Sequence, residues 1–338
     1  MNEKPILGVL LGDATGVGPE LVAKLAARNF YKDYCRPVII GDMRVLEQGI
    51  ALAGGPVACD VISNVEEADW EKGLPVLDQK DQDPEQIQIA TVSTYCGAAD
   101  KAMIETACQL CKDGKLDGFV FAPFNKAALH AGGCEYESEH HLMAHIFGLT
   151  EPFGEINVLG NLSATRTTSH IPISQVSDHL TIETIVQAER LAHNTIKSSG
   201  IEHPKLGIAA LNPHCGEGGR CGREEIDVII PAIQKAKELG IDAEGPYSAD
   251  ILFIKAFEGE FDGVVTMYHD QGQIALKLKG FDQGITIAGG QPYPIVTCAH
   301  GTAYDITGKG IASTSAFENA VKMASKMATH QKSLLNLK

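Results

Sequence analysis

The sequence lacks any long apolar run and any surplus of basic residues. No stretch approaches the roughly 20 apolar residues that cross a bilayer, and the N-terminal segment MNEKPILGVLLGDATG has neither the basic start nor the apolar core of a secretory signal. Lys and Arg number 28 against 43 Asp and Glu, which leaves a net charge of −15 at pH 7. These absences argue against a membrane or nucleic acid as partner, and we expect a cytoplasmic protein.

The cysteines show no sign of a disulfide framework, because the nine of them are scattered over 338 residues. A hydrophobic content of 44% is ordinary for a globular protein of this length. The chain is long enough for one large domain or for two lobes that share a cleft.

Short apolar runs alternate with helical patterns along the whole chain. ILGVLLGD, PVIIGD, DGFVFAPFNK, KLGIAALNPH and FDGVVTMYHD are typical of strands that are covered on both faces. PELVAKLAARNF and AADKAMIETACQLCK, which lie between such runs, have the periodicity of helices. The sequence therefore predicts an α/β fold built on largely parallel strands.

Chemically active side chains follow several of these predicted strands. Ligands bind outside the carboxyl ends of the strands in open α/β sheets. We therefore expect one rim of the fold to gather the groups that end the runs, which are Asp13, Asp42, Asn125, Lys126, Asn212, His214, His269 and Asp270.

Three histidines, His170, His214 and His269, each stand at the end of an apolar segment. Imidazoles brought to one rim would bind Zn²⁺ or a similar ion, which could polarise a hydroxyl and then its carbonyl. The alternative is that each histidine only hydrogen-bonds its own turn. His141 and His145 are rival ligands at helical spacing, but no glutamate stands where a zinc protease helix needs one.

Two glycine-containing segments resemble nucleotide-binding loops only in part. GDATGVGPELVAKL has the wrong glycine spacing for a Rossmann turn, and Pro19 also suits the first position of a helix. HGTAYDITGKGIA, with His300 and Asp305, could enclose an adenosine, and a simple turn fits its composition equally well.

Taken together, these segments resemble the 4-hydroxythreonine-4-phosphate dehydrogenase family almost end to end. The resemblance lies in GDATGVGPE, APFNKAAL, SHIPI, LNPHCGEGGRCGREEID, GPYSADILF, MYHDQGQIALKLKGF and HGTAYDITGKG. It implies a fold like that of isocitrate and isopropylmalate dehydrogenases, without a Rossmann fold. We expect two α/β/α lobes around a cleft: a cofactor lobe of residues 1–127 plus 300–338, and a lobe of residues 128–299 with the metal, the substrate and the dimer interface.

The resemblance also implies the chemistry and its residues. His170, His214 and His269 would bind a divalent metal (Zn, Mg, Mn or Co), with one histidine donated across a homodimer interface. NAD or NADP would contact a set of loop residues, which are His300, Gly301, Thr302, Ala303, Asp305 and Asn212. Asp250 would handle a proton, with Lys126 and Asp270 as further acid–base candidates. The implied reaction oxidises a secondary alcohol of a small hydroxy acid and then releases carbon dioxide.

The expected substrate pocket departs from the family pattern. Glu139 and His140 stand where the family has His-Thr, Thr286 replaces an asparagine, and Ile295 stands at the place of an arginine, while Lys277 matches a family lysine. Losing a bidentate arginine weakens phosphate binding. The sequence therefore predicts an unphosphorylated hydroxy acid, or a cis-dihydrodiol of an aromatic acid, as substrate. A metal-free phosphate acyltransferase of similar fold is the alternative from another class.

Overall fold

The computed structural model describes residues 3–280 and 282–335. In chain order, its strands are β1 (Ile6–Leu10), β2 (Arg36–Gly41), β3 (Cys59–Ile62), β4 (Leu74–Asp78), β5 (Gly118–Phe121), β6 (Gly154–Leu159), β7 (Leu162–Arg166), β8 (Lys205–Ala209), β9 (Asp242–Tyr247), β10 (Gly263–Thr266), β11 (Ile285–Gly289) and β12 (Ile295–Cys298). Its α-helices are α1 (Gly18–Ala27), α2 (Tyr31–Tyr34), α3 (Met43–Leu52), α4 (Thr94–Lys112), α5 (Lys126–Ala131), α6 (Glu139–Phe147), α7 (Val176–His179), α8 (Ile182–Ser198), α9 (Ile230–Glu238), α10 (Ala249–Phe257), α11 (His269–Gly280) and α12 (Ser315–Leu335).

The chain forms two compact units, and the prediction of an α/β fold is confirmed. Unit 1 contains residues 1–150 and 291–338, and unit 2 contains residues 151–290. The boundaries that we expected, after residues 127 and 299, differ from these. The reason is that α5 and α6 pack against α4, and β12 pairs with β5, all within unit 1.

Unit 1 is built on parallel strands in the order β3-β4-β2-β1-β5-β12. Most of their apolar side chains are buried, as expected for strands with helices on both faces, whereas Val61 on the edge strand β3 is exposed. The helix that Pro19 predicts is α1, which begins at Gly18. The strand order is not that of a Rossmann fold, as expected.

Unit 2 has the strand order β11-β6-β7-β10-β8-β9, in which β6 is antiparallel to both of its neighbours. Successive residues of a strand face opposite sides of the sheet. Ile208 and Val265 therefore join the apolar cluster under α8 and α9, while Ala209 and Val264 join the cluster under α10. This is a three-layer α/β/α arrangement.

Within the described ranges, no helix has both the length and the apolar content that crossing a membrane requires.

Candidate functional site

His170 and His269 lie side by side at the carboxyl ends of the neighbouring strands β7 and β10. The centroids of their rings are 5.8 Å apart. The segment that carries His170 is held against the end of β10 by Thr168, whose backbone N and Oγ1 lie 3.1 and 2.7 Å from the carbonyl oxygen of Met267. Parallel pairing of the two strands thus places the two imidazoles at one edge, as the sequence predicts.

Asp270 fixes the orientation of the His269 ring. Nδ1 of His269 lies 2.7 Å from Oδ1 of Asp270. Because a carboxylate accepts, Nδ1 carries the proton and Nε2 keeps its lone pair, which is the form that binds a metal ion. Gln271 secures this turn, because its Oε1 accepts from Met267 N and its Nε2 donates to the carbonyl of Ala210, both at 2.7 Å.

His214 lies in a left-handed turn that follows β8. The backbone φ angles of His214, Cys215 and Glu217 are 52°, 54° and 46°, and this region costs a residue other than glycine about 1–2 kcal/mol. Strain of this kind often accompanies function. Sγ of Cys215 contacts Oγ of Ser248 at 3.6 Å, so the turn is attached to the segment that leads into Asp250, an exposed residue of the first turn of α10.

A buried glutamate that the sequence analysis missed shapes the start of this turn. Oε1 of Glu225 accepts from the backbone N atoms of Leu211 and Asn212 at 2.9 and 2.7 Å. Nδ2 of Asn212 donates to Glu224 and Glu225 at 2.7 and 3.0 Å. The amide nitrogen of Asn212 is therefore used within the loop, so the contact that we predict between Asn212 and the cofactor falls to its Oδ1 atom.

The donor set suits a divalent ion in part. Two imidazoles beside a carboxylate are ligands that Zn²⁺ and similar ions accept. Across residues 3–280 and 282–335, however, no three His, Cys, Asp or Glu side chains are placed so that they could hold a metal ion. One chain brings His170 and His269 together without His214 or Asp250 as a third ligand.

Arg166, at the end of β7, is the second residue that the sequence analysis missed. Its side chain is only 8% exposed and pairs with Glu155, with 2.6 Å between Nη2 and Oε2. Its Nη1 donates to Oδ1 of Asn157 at 3.0 Å, and Nδ2 of Asn157 donates to Oγ1 of Thr286 at 3.0 Å. A basic residue at the end of an apolar strand, close before His170 in SATRTTSH, was the available signal.

The other predicted substrate residues have different surroundings. Lys277 is exposed on α11, Glu139 begins α6, and His140 is buried in the next position. Thr286 is buried, and its hydroxyl is occupied by Asn157. Ile295 requires a correction: it is fully buried in β12 and forms part of the core of unit 1, so its side chain does not line a ligand pocket.

The predicted cofactor loop, residues 300–305, packs on the GDATGVG segment within unit 1. The backbone N of Val17 donates to the carbonyl of Thr302 at 3.0 Å. A Cβ atom on Gly16 would lie 2.7 Å from Cβ of Thr302, so only glycine allows this approach. His300 is half-buried with Nδ1 2.9 Å from the carbonyl of Gly301. Ala303 has φ 48°, and Asp305 is exposed.

Tyr304 connects this loop to the predicted rim of unit 1. Its hydroxyl accepts from Oγ1 of Thr15 at 3.0 Å and from Nδ2 of Asn125 at 2.9 Å, and it lies 3.2 Å from Oδ2 of Asp13. Asn125 caps α5, whose first residue is the exposed Lys126. Burial raises the pKa of Asp13.

Comparison with known proteins agrees with this architecture. Residues 33–324 match the family described as "Pyridoxal phosphate biosynthetic protein PdxA". D-threonate 4-phosphate dehydrogenase of Cupriavidus necator is 36% identical, over 97% of this chain and 98% of that protein. A crystal structure of a 4-hydroxythreonine-4-phosphate dehydrogenase from Burkholderia phymatum has a TM-score of 0.82 and 34% identity, and covers 96% of this chain and 99% of its own. A terephthalate 1,2-cis-dihydrodiol dehydrogenase from Burkholderia xenovorans has a TM-score of 0.66 and 26% identity, with 95% and 98% coverage.

The fold and these matches define an NAD(P)-dependent dehydrogenase. The chain belongs to the PdxA family, and the predicted resemblance is confirmed. Family membership also decides against the phosphate acyltransferase that the sequence left open.

Proposed function

We propose that the chain is a divalent-metal-dependent NAD(P) dehydrogenase of the cytoplasm that oxidises a secondary alcohol of a small hydroxy acid and then releases carbon dioxide. The observation that carries this proposal is the cluster of His170, His269 and Asp270. Two adjacent imidazoles, one of which is oriented by a carboxylate, are the start of a metal site that still needs a further ligand.

Each residue of the site has a role in this proposal. A divalent ion bound by the imidazoles supplies Lewis-acid polarisation of the substrate hydroxyl. Asp270 accepts from Nδ1 of His269 and so orients Nε2 as the ligand atom. Asp250, exposed at the start of α10, accepts the hydroxyl proton, while Lys126 remains a candidate for the proton that returns to the product. The cofactor lies on residues 300–305, with Asn212 as a further contact.

A second subunit would supply the missing ligand. Exposed apolar side chains on α10 and α11 provide a surface for it, and these are Ile251, Ile254, Ile274 and Leu278, the last of which is 84% exposed. Large apolar patches on a soluble protein mark interaction sites. We infer a homodimer in which His214 of one chain completes the site formed by His170 and His269 of the other.

The substrate is proposed from the relatives and from the pocket. The names of the relatives point to a phosphorylated hydroxy acid. The sequence predicts an unphosphorylated acid instead, because it shows no arginine at position 295. Arg166, which is linked to Thr286 through Asn157, is a basic group close to this position and supports an anionic substrate. A cis-dihydrodiol of an aromatic acid is the second candidate, favoured by the likeness to the dihydrodiol dehydrogenase.

One screen tests the proposal. Purified protein would be stripped of metal and assayed for NAD and NADP reduction with added Zn²⁺, Mg²⁺, Mn²⁺ or Co²⁺. The substrates would be D-threonate 4-phosphate, 4-hydroxythreonine 4-phosphate, their unphosphorylated forms and a cis-dihydrodiol of terephthalate. We expect turnover only with metal. Equal turnover in the presence of a strong chelator would overturn the metal assignment.

A further inference from the structure

Arg166 has hydrogen-bonding capacity left over after its contacts in the chain. A guanidinium carries five N–H groups. The structure gives Nε, Nη1 and Nη2 one acceptor each, namely Ser169 Oγ at 3.0 Å, Asn157 Oδ1 at 3.0 Å and Glu155 Oε2 at 2.6 Å. Among residues 3–280 and 282–335, one N–H on each Nη atom therefore has no acceptor, and two such groups can bind the two oxygens of a carboxylate or phosphate.

The position of Arg166 connects it to the candidate metal site. Arg166 and His269 border the same small cavity, of about 10 Å³, together with Asn157 and Gln273. Nε2 of Gln273 donates to Oδ1 of Asn157 at 2.5 Å. The space is too small for a substrate, but the guanidinium and the imidazole both line it.

The same cluster reaches the side of the pocket that the family resemblance assigns to the anionic end of the substrate. Asn157 bridges Arg166 and Thr286, because its Oδ1 accepts from the guanidinium and its Nδ2 donates to the Thr286 hydroxyl. Thr286 occupies the place of a phosphate-contacting asparagine. The basic group that is missing at Ile295 is therefore present on a different strand, one side chain away from Thr286.

Glu155 opposes anion binding while it holds Arg166 in place. Its side chain is 26% exposed, and it forms the ion pair with a guanidinium that is 8% exposed. Nearly buried ion pairs are strongly coupled, because removing one partner leaves the other charge poorly solvated. The Glu155 carboxylate therefore fixes the orientation of the Arg166 guanidinium and also cancels much of its positive charge.

We propose that Arg166 binds the anionic group of the substrate and that Glu155 sets the strength of this binding. The inference rests on the dehydrogenase proposed above and specifies its substrate: a small hydroxy acid that carries a second oxyanion, either a phosphate monoester or a second carboxylate. Arg166 is thus the residue that determines specificity in this chain.

The test uses inorganic phosphate and malonate as probes, titrated separately into the full-length protein by calorimetry. Arg166→Met removes the guanidinium and should weaken binding of the relevant anion by about tenfold or more. Glu155→Gln keeps the shape and removes the competing charge, so it should tighten binding several-fold. Arg190→Met is the matched control, because Arg190 pairs with Glu151 in the same unit through side chains that are 48% and 72% exposed. It should change neither titration.

The sign of the Glu155→Gln effect separates recognition from a structural role. If Glu155→Gln and Arg166→Met both weaken binding, the pair only supports the fold and the inference is wrong. It is also wrong if neither variant differs from Arg190→Met. If Arg166→Met does not fold, Arg166→Lys replaces it, because lysine keeps the positive charge but lacks the planar guanidinium. We expect Arg166→Lys to weaken anion binding too, by a smaller factor.

The two probes also identify the anionic group of the substrate. If binding of phosphate depends on Arg166, the group is a phosphate monoester; if binding of malonate depends on it, the group is a carboxylate. Titration requires no turnover, so a failure of the proposed dehydrogenase activity leaves this result intact. In the converse case, an active enzyme whose Michaelis constants do not respond to Arg166→Met would contradict the inference alone.

Discussion

The hydroxyl oxygen of Tyr304 lies 3.2 Å from Oδ2 of Asp13 and joins the predicted cofactor loop to the end of β1. It also receives hydrogen bonds from Thr15 and Asn125, and its other acceptor is the carbonyl of Thr91 at 3.0 Å. A single phenol thus organises segments that are distant in the sequence. Loss of this hydroxyl should affect both stability and cofactor binding.

Tyr304→Phe tests this role. The variant removes the hydroxyl that contacts Oδ2 of Asp13 and Nδ2 of Asn125, so we expect a loss of about 1–2 kcal/mol in the free energy of unfolding. Cofactor affinity should fall with it, because the loop is less well held. Urea unfolding and NADH fluorescence titration measure the two effects. Tyr136→Phe is the control, since the ring of Tyr136 lies tilted against that of His145; equal losses in both variants would refute the assignment.

Asp100 should make the protein less stable as the pH rises. It is fully buried on α4, and among the described residues neither carboxylate oxygen has a hydrogen-bond partner. Burial, and then the charges of Asp13 and Asp81, hold the pKa of Asp100 well above its usual 3.8. The folded state therefore binds a proton that the unfolded state has released, and stability is greatest below the unfolded pKa and is lost as pH rises through the folded one.

Asp100→Asn removes this dependence. The free energy of unfolding of the wild type should fall between pH 5 and pH 8, and that of Asp100→Asn should fall less. Each unit by which folding raises the pKa of Asp100 contributes about 1.4 kcal/mol to the difference, and melting temperatures at each pH follow both proteins. Glu189, whose pKa burial raises to about 8, adds a slope of the same sign to both proteins. Glu105→Gln, an exposed change on the same helix, is the control. If the stability of wild type and of Asp100→Asn depends on pH in the same way, ionisation of Asp100 does not contribute to stability.

Asp270→Asn should weaken metal binding while the fold persists. The amide no longer favours the proton on Nδ1 of His269, so Nε2 loses its preferred orientation and basicity. We expect a 10–100-fold loss of metal affinity by order of magnitude, measured as bound Zn²⁺ after dialysis against a competing chelator. His214→Ala and His269→Ala should lose bound metal altogether. Metal content equal to that of wild type in Asp270→Asn would show that the carboxylate does not orient a ligand.

Hybrid dimers test whether the site is shared. Two inactive variants, His170→Ala and His214→Ala, would be mixed and allowed to exchange subunits. A site that takes His170 from one chain and His214 from the other is intact once in each hybrid, so partial activity should return. Mass spectrometry of differently labelled subunits confirms the exchange. Continued inactivity of proven hybrids would place all ligands in one chain.

The left-handed turn at His214 should be relieved by glycine. Glu217 is exposed and has φ 46°, so Glu217→Gly removes strain with little loss of contact. We expect a gain of up to about 1 kcal/mol in the free energy of unfolding. The reciprocal change Gly218→Ala, at φ 67° with open space around the added Cβ, should lose a similar amount. Chemical denaturation of both variants measures the pair, and a destabilised Glu217→Gly would show that its side chain has an unrecognised contact.

Local sequence patterns predicted the features that depend on neighbouring residues. The apolar runs before His269 and Asn125 are strands β10 and β5, and the rule that ligands lie beyond strand ends placed His170 next to His269. Pattern and spacing suffice here because the residues of each apolar run themselves show where the strand ends.

Features that depend on distant partners could not be derived in this way. The orientation of Arg166 depends on hydrogen bonds to Glu155 and Asn157, which lie on another strand, and the sequence around Arg166 does not identify these partners. Burial of Ile295 follows from the pairing of β12 with β5, and the same pairing shifted the domain boundary. A single sequence shows propensity and spacing, whereas these contacts depend on how the strands are ordered.

The discontinuity of unit 1 has a consequence for synthesis on the ribosome. Unit 2 is one continuous stretch, residues 151–290, whereas unit 1 needs β12 and α12 from the last part of the chain. Domains generally fold as units while the chain emerges. The sheet of unit 1 must therefore wait with the β5 edge uncovered until β12 has left the exit tunnel, and unit 2 can complete its core first. For this interval the nascent chain exposes Phe119 and Val120, and a chaperone that shields that edge would be of most use to the protein then.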